Sequence, residues 1–213
     1  MTTLGTLKSR IADDLARSDL TTQIANSIED AIEFYRTKRF FWNETRSATF
    51  ATVASQAVYS SADDADIPLF FDIDDVFLVD SSSQNHRLTK ADPQDLEYLS
   101  DTGGTTGQPT RWAWFDRSIR LYPIPDAVYT IRPVGGIERA SPASDSEADN
   151  VWMATGESFE LLRCRAKMYL YLHVINAPEK AALMQEAEQQ ALRAARAAGS
   201  RRMGLGRLKP TQF

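Results

Sequence analysis

FELLRCRAKMYLYLH, Phe159 to His173, is the stretch on which the fold turns. Phe159, Leu162, Ala166, Tyr169 and His173 step by 3, 4, 3 and 4, the spacing that lines one face of an α-helix. The segment follows a long region of different period, so it returns the chain to helix. The start of the chain carries the same signature. Leu4, Leu7, Ile11 and Leu15 step by 3, 4 and 4, with Gly5 weakening the first turn. Leu20, Ile24, Ile28, Ile32 and Tyr35 repeat the stripe, with Asp19 or Thr21 expected to cap the second helix. Two amphipathic helices on a short link form an antiparallel hairpin, and neither buries its stripe alone. Pro178 opens a fourth, alanine-rich helix, whose small face of Ala187, Ala191, Ala194 and Ala198 invites a close neighbour and which Gly199 is expected to stop. Helices from both ends of the chain can therefore close into one bundle.

Between them the period is two. RSATFATV (46–53) alternates small polar with apolar residues and QAVYS (56–60) follows, as expected of paired strands. LFFDIDDVFLVD (69–80) reads as one or two strands, and DPQDLEYLS (92–100) as a short helix with Asp92 at its cap and Pro93 at its first position. TRWAWFDRSIRLYPIPD is a hairpin around Asp116, Arg117 and Ser118, ended by Pro123 and Pro125, and VYTIRPVGGIER supplies one more strand. ASPASDSEADN (140–150) is a loop back to helix. The expected class is α+β: a helical bundle built from N- and C-terminal helices, with an inserted antiparallel β domain and an extended C-terminal tail. The expected boundaries are 1–45 for the N-terminal helices, 46–140 for the β domain, 151–198 for the C-terminal helices and 199–213 for the tail.

Charge separates the tail from the rest. From Arg193 onward Arg193, Arg196, Arg201, Arg202, Arg207 and Lys209 give +6 with no acid, which leaves 18 basic against 29 acidic residues, or −11, for residues 1–192. An acidic body repels phosphates and argues against a DNA-binding regulator. The single Cys164 rules out an internal disulfide. No apolar run reaches the ~18 residues of a membrane span. The opening MTTLGTLKSRIADD lacks the pattern of a secretion signal, so folding in the cytoplasm is expected.

Candidate chemistry is sparse. GGTTGQP (103–109) lacks the Lys and Ser or Thr of a phosphate loop and reads as a surface turn. Asp63, Asp64, Asp66, Asp72, Asp74 and Asp75 lack the spacing of a calcium loop and read as a solvated acidic surface. His173, on the apolar stripe, is expected to be packed, and Cys164 to be a small buried hydrophobe. No nucleophile and base can be placed, so no enzyme, cofactor or metal site is expected. FYRTKRFFW (34–42) and RWAWF (111–115) interleave basic and aromatic residues as single-strand binders do. On an acidic body they are expected instead to pack the join between the second helix and the sheet.

The segment order resembles a family of head-to-tail adaptor proteins of tailed bacteriophages. The resembling stretches are RIADDLARSDLTTQIANSIEDAIEFYRTKRFFWNETRSATFAT, TGGTTGQPTRWAWFDRSIRLYPIPDAVYTIR and ELLRCRAKMYLYLHVI, which sample most of residues 10–175. The resemblance implies a structural virion protein, assembled in the host cytoplasm, that forms a ring of twelve copies under the portal and extends the DNA channel. It implies portal protein, a downstream tail protein and further copies of itself as partners, with genome DNA passing unbound and no membrane contact. Carried over by position, the segment from Ala198 to Phe213 would dock to the portal. Arg201, Arg202, Arg207 and Lys209 supply charge there, and Met203, Leu205, Leu208 and Phe213 apolar anchors. Two alternatives stay open: another tail component, such as a tail tube or fibre anchor, and a nucleic-acid-binding protein that uses the same tail.

Overall fold

The computed structural model describes residues 2–80, 82–101, 104–147 and 149–202. The helices are α1 (Leu4–Leu15), α2 (Thr21–Arg36), α3 (Pro93–Asp101), α4 (Val151–Ala154), α5 (Gly156–Tyr169) and α6 (Pro178–Arg202). The strands are β1 (Glu44–Thr45), β2 (Phe50–Ala51), β3 (Val58–Tyr59), β4 (Phe70–Val79), β5 (Asn85–Arg87), β6 (Thr89–Lys90), β7 (Arg111–Phe115), β8 (Ser118–Tyr122) and β9 (Thr130–Ile137). The fold is α+β, in two units: a helical unit of residues up to Trp42 and from Arg139 on, and a β unit of Asn43–Glu138.

In the helical unit α1 opens on Thr3, whose hydroxyl accepts the Thr6 N–H at 3.2 Å. It closes at Ala16, which is left-handed (φ 49°) and whose N–H reaches the Asp13 carbonyl at 3.0 Å. Neither Asp19 nor Thr21 caps α2. Leu20 holds the cap position without a side-chain bond, and Asp19 is drawn to Arg17 at 2.7 Å instead. Asp14 ties the end of α1 to α5 through Arg163 at 2.8 Å and Lys167 at 3.0 Å. Burial works to raise its carboxyl, and the two cations outweigh it and hold it below the ordinary carboxylate range.

Leu7, Ile11, Ile24, Ile28, Ile32, Tyr35, Trp152, Phe159, Leu162 and Ala166 share one core. On α5 the buried stripe runs on to Leu170, whereas Tyr169 is half-buried and His173 is exposed, so the packed histidine is not found. From Leu170 the helix widens: the Ile175 N–H bonds to the Leu170 carbonyl at 2.9 Å, five residues back, and each later side chain is rotated off the stripe. On α6 the buried positions are Ala181, Glu188, Ala195, Ala198 and Gly199, and Ala194 is exposed. Ala198 is buried and Ala191 packs against the core as the alanine face predicts, whereas Ala195 is buried in place of Ala194 and Glu188 more deeply than Ala187. Gly199 does not stop α6, which continues to Arg202. It lies against Phe41, where an added Cβ would sit 3.8 Å from the ring, and that contact supports the last turn.

In the β unit one sheet runs β1-β9-β4-β5, with β2 also on β9, and the other runs β3-β8-β7-β6. All pairs are antiparallel except β6 with β7. β4 and β9 form the longest ladder, with register shifts between Phe70 and Asp72 and between Ile73 and Asp75. Gly135 and Gly136 of β9 face these irregularities. A Cβ on the first would strike the backbone of Asp72 and Ile73, and on the second the ring of Phe71. The two runs expected to pair, 46–53 and 56–60, instead pair apart: β2 joins β9 and β3 joins β8. Between them the Tyr59 hydroxyl accepts the Val53 N–H at 3.1 Å and donates to the Gln56 carbonyl at 2.9 Å, which turns the chain from one sheet to the other. The β7–β8 turn is two residues long, Asp116 and Arg117, both at positive φ (48° and 54°).

Ile28 is 1% exposed and faces the same interior as Leu162, at 0%. Ile28→Asp should cost several kcal/mol by burying a charge, and cooperative thermal unfolding should be lost. An unchanged Tm would show that α2 and α5 do not share this core.

Candidate docking surface at the end of the last helix

The exit of α2, FYRTKRFFW, meets α5 at Phe34 and α6 at Tyr35 and Phe41. Tyr35 donates its hydroxyl to the carboxylate of Glu188, which is 6% exposed. Arg165 on α5 sets one guanidinium nitrogen 3.1 and 3.3 Å from the two Glu188 oxygens and donates with another to the Tyr169 hydroxyl at 2.9 Å. The buried carboxylate is thus answered by one cation and one phenol from two other helices. Burial, and then the bond to Glu188, push the Tyr35 phenol well above its ordinary range, so it stays a donor.

The Phe34 ring carries two cations, the Arg165 guanidinium at 3.5 Å and the Lys38 ammonium at 3.2 Å. Burial, with Arg165 next and Arg196 also acting, holds the Lys38 ammonium below the usual lysine range. Further along, Phe41 takes the Arg202 guanidinium at 4.0 Å. Phe40 and Trp42 stack at 4.4 Å, and Trp42 meets Trp152 edge-on at 6.4 Å. Tyr35, Phe40 and Trp42 belong to the helical core, and Trp112 of RWAWF to the β core.

Of the tail residues, Arg201 and Arg202 form the last positions of α6. Arg201 donates from Nε to the Ala197 carbonyl at 3.4 Å, so both arginines sit where the helix dipole favours positive charge. Met203, Leu205, Arg207, Leu208, Lys209 and Phe213 lie outside the described residues.

The other candidates resolve into local structure. In the glycine-containing loop the Gly107 N–H bonds the Ile124 carbonyl at 2.9 Å and the Ile124 N–H bonds the Thr105 carbonyl at 3.0 Å, so these amides point into the turn. Asp63 accepts from the Ser60 N–H, Asp64 from the Asp66 N–H, and Asp75 pairs with Arg87 at 2.5 Å. Among the described residues no group of three or more His, Cys, Asp or Glu side chains is placed to hold a metal. Cys164 is half-buried, and burial pushes its thiol up, away from reactivity.

The division of charge follows the units. The β unit holds 15 acidic and seven basic residues, net −8, which leaves 14 acidic and 17 basic, net +3, for the helical unit. The acidity read from the sequence as a property of the whole body is concentrated in the insertion.

Sequence reading missed Glu188 and Arg165, because nothing in QEAEQQ distinguishes the buried Glu188 from the exposed Glu186. Glu188→Ala would strand Arg165 and Tyr35 and should cost about 3–5 kcal/mol. Glu188→Gln keeps an acceptor for Tyr35 and should cost less. Urea denaturation of the two variants checks this, and equal losses would show that the charge of Glu188 plays no part.

A family model described as SU10 adaptor protein matches residues 2–210. The sequence matches no curated protein.

Proposed function

The chain belongs to the SU10 adaptor protein family, as a phage structural adaptor, and on that premise we propose that it forms a ring, of twelve copies, which joins the portal to the tail. The observation that carries the reading is the extent of the match, which takes in both units and reaches into the basic tail. The ring extends the DNA channel, and a net charge of −5 suits a channel that does not hold phosphates. The helices of residues 1–45 and 151–198 serve as the frame, residues 46–140 as the inserted module and residues 199–213 as the strap that docks to the portal. Docking uses charge from Arg201, Arg202, Arg207 and Lys209 and apolar burial from Met203, Leu205, Leu208 and Phe213. A downstream tail protein takes the opposite face. The role is structural, in the virion, after assembly in the host cytoplasm, and needs no cofactor.

The free chain should sediment mainly as a monomer at ordinary salt, because acidic copies repel until a template supplies compensating contacts. Rings should appear on adding the cognate portal. A stable ring without any partner would overturn the templating step.

Removal of residues 203–213 leaves α6 and its contacts with Phe41 complete, so stability should hold while portal binding fails. Changing Arg201, Arg202, Arg207 and Lys209 to Ser should weaken docking and flatten its salt dependence. Changing Leu205, Leu208 and Phe213 to Ser should weaken it with the salt dependence kept, since apolar burial is not screened. Titration at two salt concentrations separates the sets. Portal binding by the truncated chain as tight as that of the full chain would place the docking surface elsewhere.

A further inference from the structure

We propose that neighbouring copies of this chain join through the helical unit alone: the outward stripe of α6 on one copy lies in the groove between α2 and the end of α5 on the next. The proposal rests on the ring reading above and names the contact between its subunits.

Leu183, Glu186, Gln190, Arg193 and Ala197 step by 3, 4, 3 and 4 along α6, and all five are exposed. They form one stripe, on the side of the helix away from the buried Ala181, Glu188 and Ala195. Its chemistry changes in a fixed order: apolar at Leu183, which is 60% exposed, then an acid, an amide and a base. Glu186 and Arg193 form no ion pair among the described residues.

The groove holds about 160 Å³ and is lined by Gln23, Asn26 and Asp30 of α2 and by Tyr169, His173 and Val174. The wide turn that begins at Leu170 brings the last two of these to it. α2 and α5 run antiparallel, with Phe34 meeting Arg165, so Val174 lies toward Gln23 and Tyr169 toward Asp30. Val174 is 42% exposed, and Asp30 forms no ion pair among the described residues. The groove is therefore apolar at one end and acidic at the other, with the His173 ring and the Asn26 amide available as donors between.

The two orders match in one direction. Leu183 and Arg193 stand about 15 Å apart along α6, and Gln23 and Asp30 about 10 Å apart along α2. With Leu183 against Val174, Glu186 meets His173 and Asn26, and Arg193 comes within side-chain reach of Asp30. Reversed, Arg193 would meet Val174 and Leu183 would meet Asp30, which sets the direction of pairing. α5 packs against both α2 and α6, so groove and stripe are separate faces of one unit. A contact between unlike faces closes into a ring when its rotation permits, which a contact of like faces cannot do beyond a pair. One exposed ion pair and one small apolar contact bind weakly, and a portal that holds copies side by side raises their effective concentration. A nucleic acid is the weaker candidate for the stripe, because Glu186 on it repels phosphate.

The test uses full-length Arg193→Glu, Asp30→Arg, the double variant that carries both, and Leu183→Ser. Ring formation on cognate portal is followed by electron microscopy as protein concentration rises, and binding of single copies to portal is measured at low concentration. Each single charge variant should need at least about tenfold more protein to complete rings, and the double variant should recover them, since the two charges have exchanged places. Leu183→Ser should weaken ring formation with its salt dependence kept, because apolar burial is not screened. Single-copy binding should be unchanged in all four, because the positions lie outside the docking tail. Parent-like rings from either single charge variant, or no recovery in the double variant while all melt like the parent, overturn the proposal. Should Asp30→Arg lower the Tm, Asp30→Asn takes its place and should show weakening in the same direction. Loss of single-copy portal binding in the Asp30 variant would give the groove to the portal and overturn the proposal. The ring reading fails separately, when the parent binds portal as single copies and forms no ring there.

Discussion

A single buried carboxylate sets the arrangement of the helical unit. Glu188 joins Tyr35 and Arg165, groups 153 and 23 residues away in sequence, at a point with little access to water. A charge there is tolerated only where its partners reach it, so α6 has one acceptable position along α2 and α5. A shift of one residue would bring Gln189 or Ala187 to the site and leave Arg165 without an anion. The apolar contacts of α6 are mostly alanine, which packs nearly as well in neighbouring registers and specifies position weakly. The polar contact therefore supplies the register, and the register determines that Gly199 and Arg202 arrive at Phe41.

The β unit interrupts the helical unit in sequence without holding its ends apart. Its first and last strands are direct neighbours: Glu44 pairs with Gly136, and the Ile137 N–H bonds the Asn43 carbonyl at 2.7 Å. The chain therefore enters and leaves the β unit at almost the same place, the condition under which an insertion leaves its host intact. Gly135 and Gly136 make this closure possible, because the bulged β4 strand approaches too closely there for any side chain.

The amphipathic stripes of α1 and α2 were legible because their apolar residues are large and their periodicity unbroken. The stripe of α5 was legible only as far as Ala166. Past it lie Tyr169, Leu170, Tyr171 and Leu172, all apolar enough to serve, and the wide turn that chooses Leu170 depends on backbone bonds that no residue type announces. On α6 alanine occupies buried and exposed positions alike, so composition found Ala191 and Ala198 but named Ala194 where Ala195 is buried, and Gly199 was mistaken for a terminator although packing against Phe41 outweighs its low helix propensity. Strand existence was clear from alternation, but alternation says which side chains face inward and nothing of which strand lies alongside. That is how β2 and β3 came to be read as partners. The charge excess after Arg193 was legible in the sequence; the contacts of Arg165 with Phe34 and of Arg202 with Phe41 join residues too distant in sequence to be paired by inspection.

Arg202, in the last turn of α6, shows how a cation can be positioned without an anion. Its guanidinium is committed to the face of Phe41, which fixes its position without neutralising its charge. A group held in this way is suited to a partner that approaches the folded surface, because little side-chain freedom remains to be lost on contact. Arg207 and Lys209 follow Arg202 in sequence and lie outside the described residues. The excess of positive charge after Arg193 is therefore not one feature but two. Arg193, Arg196, Arg201 and Arg202 belong to the folded helix, where backbone and neighbouring side chains limit their freedom, and only Arg207 and Lys209 follow its described end.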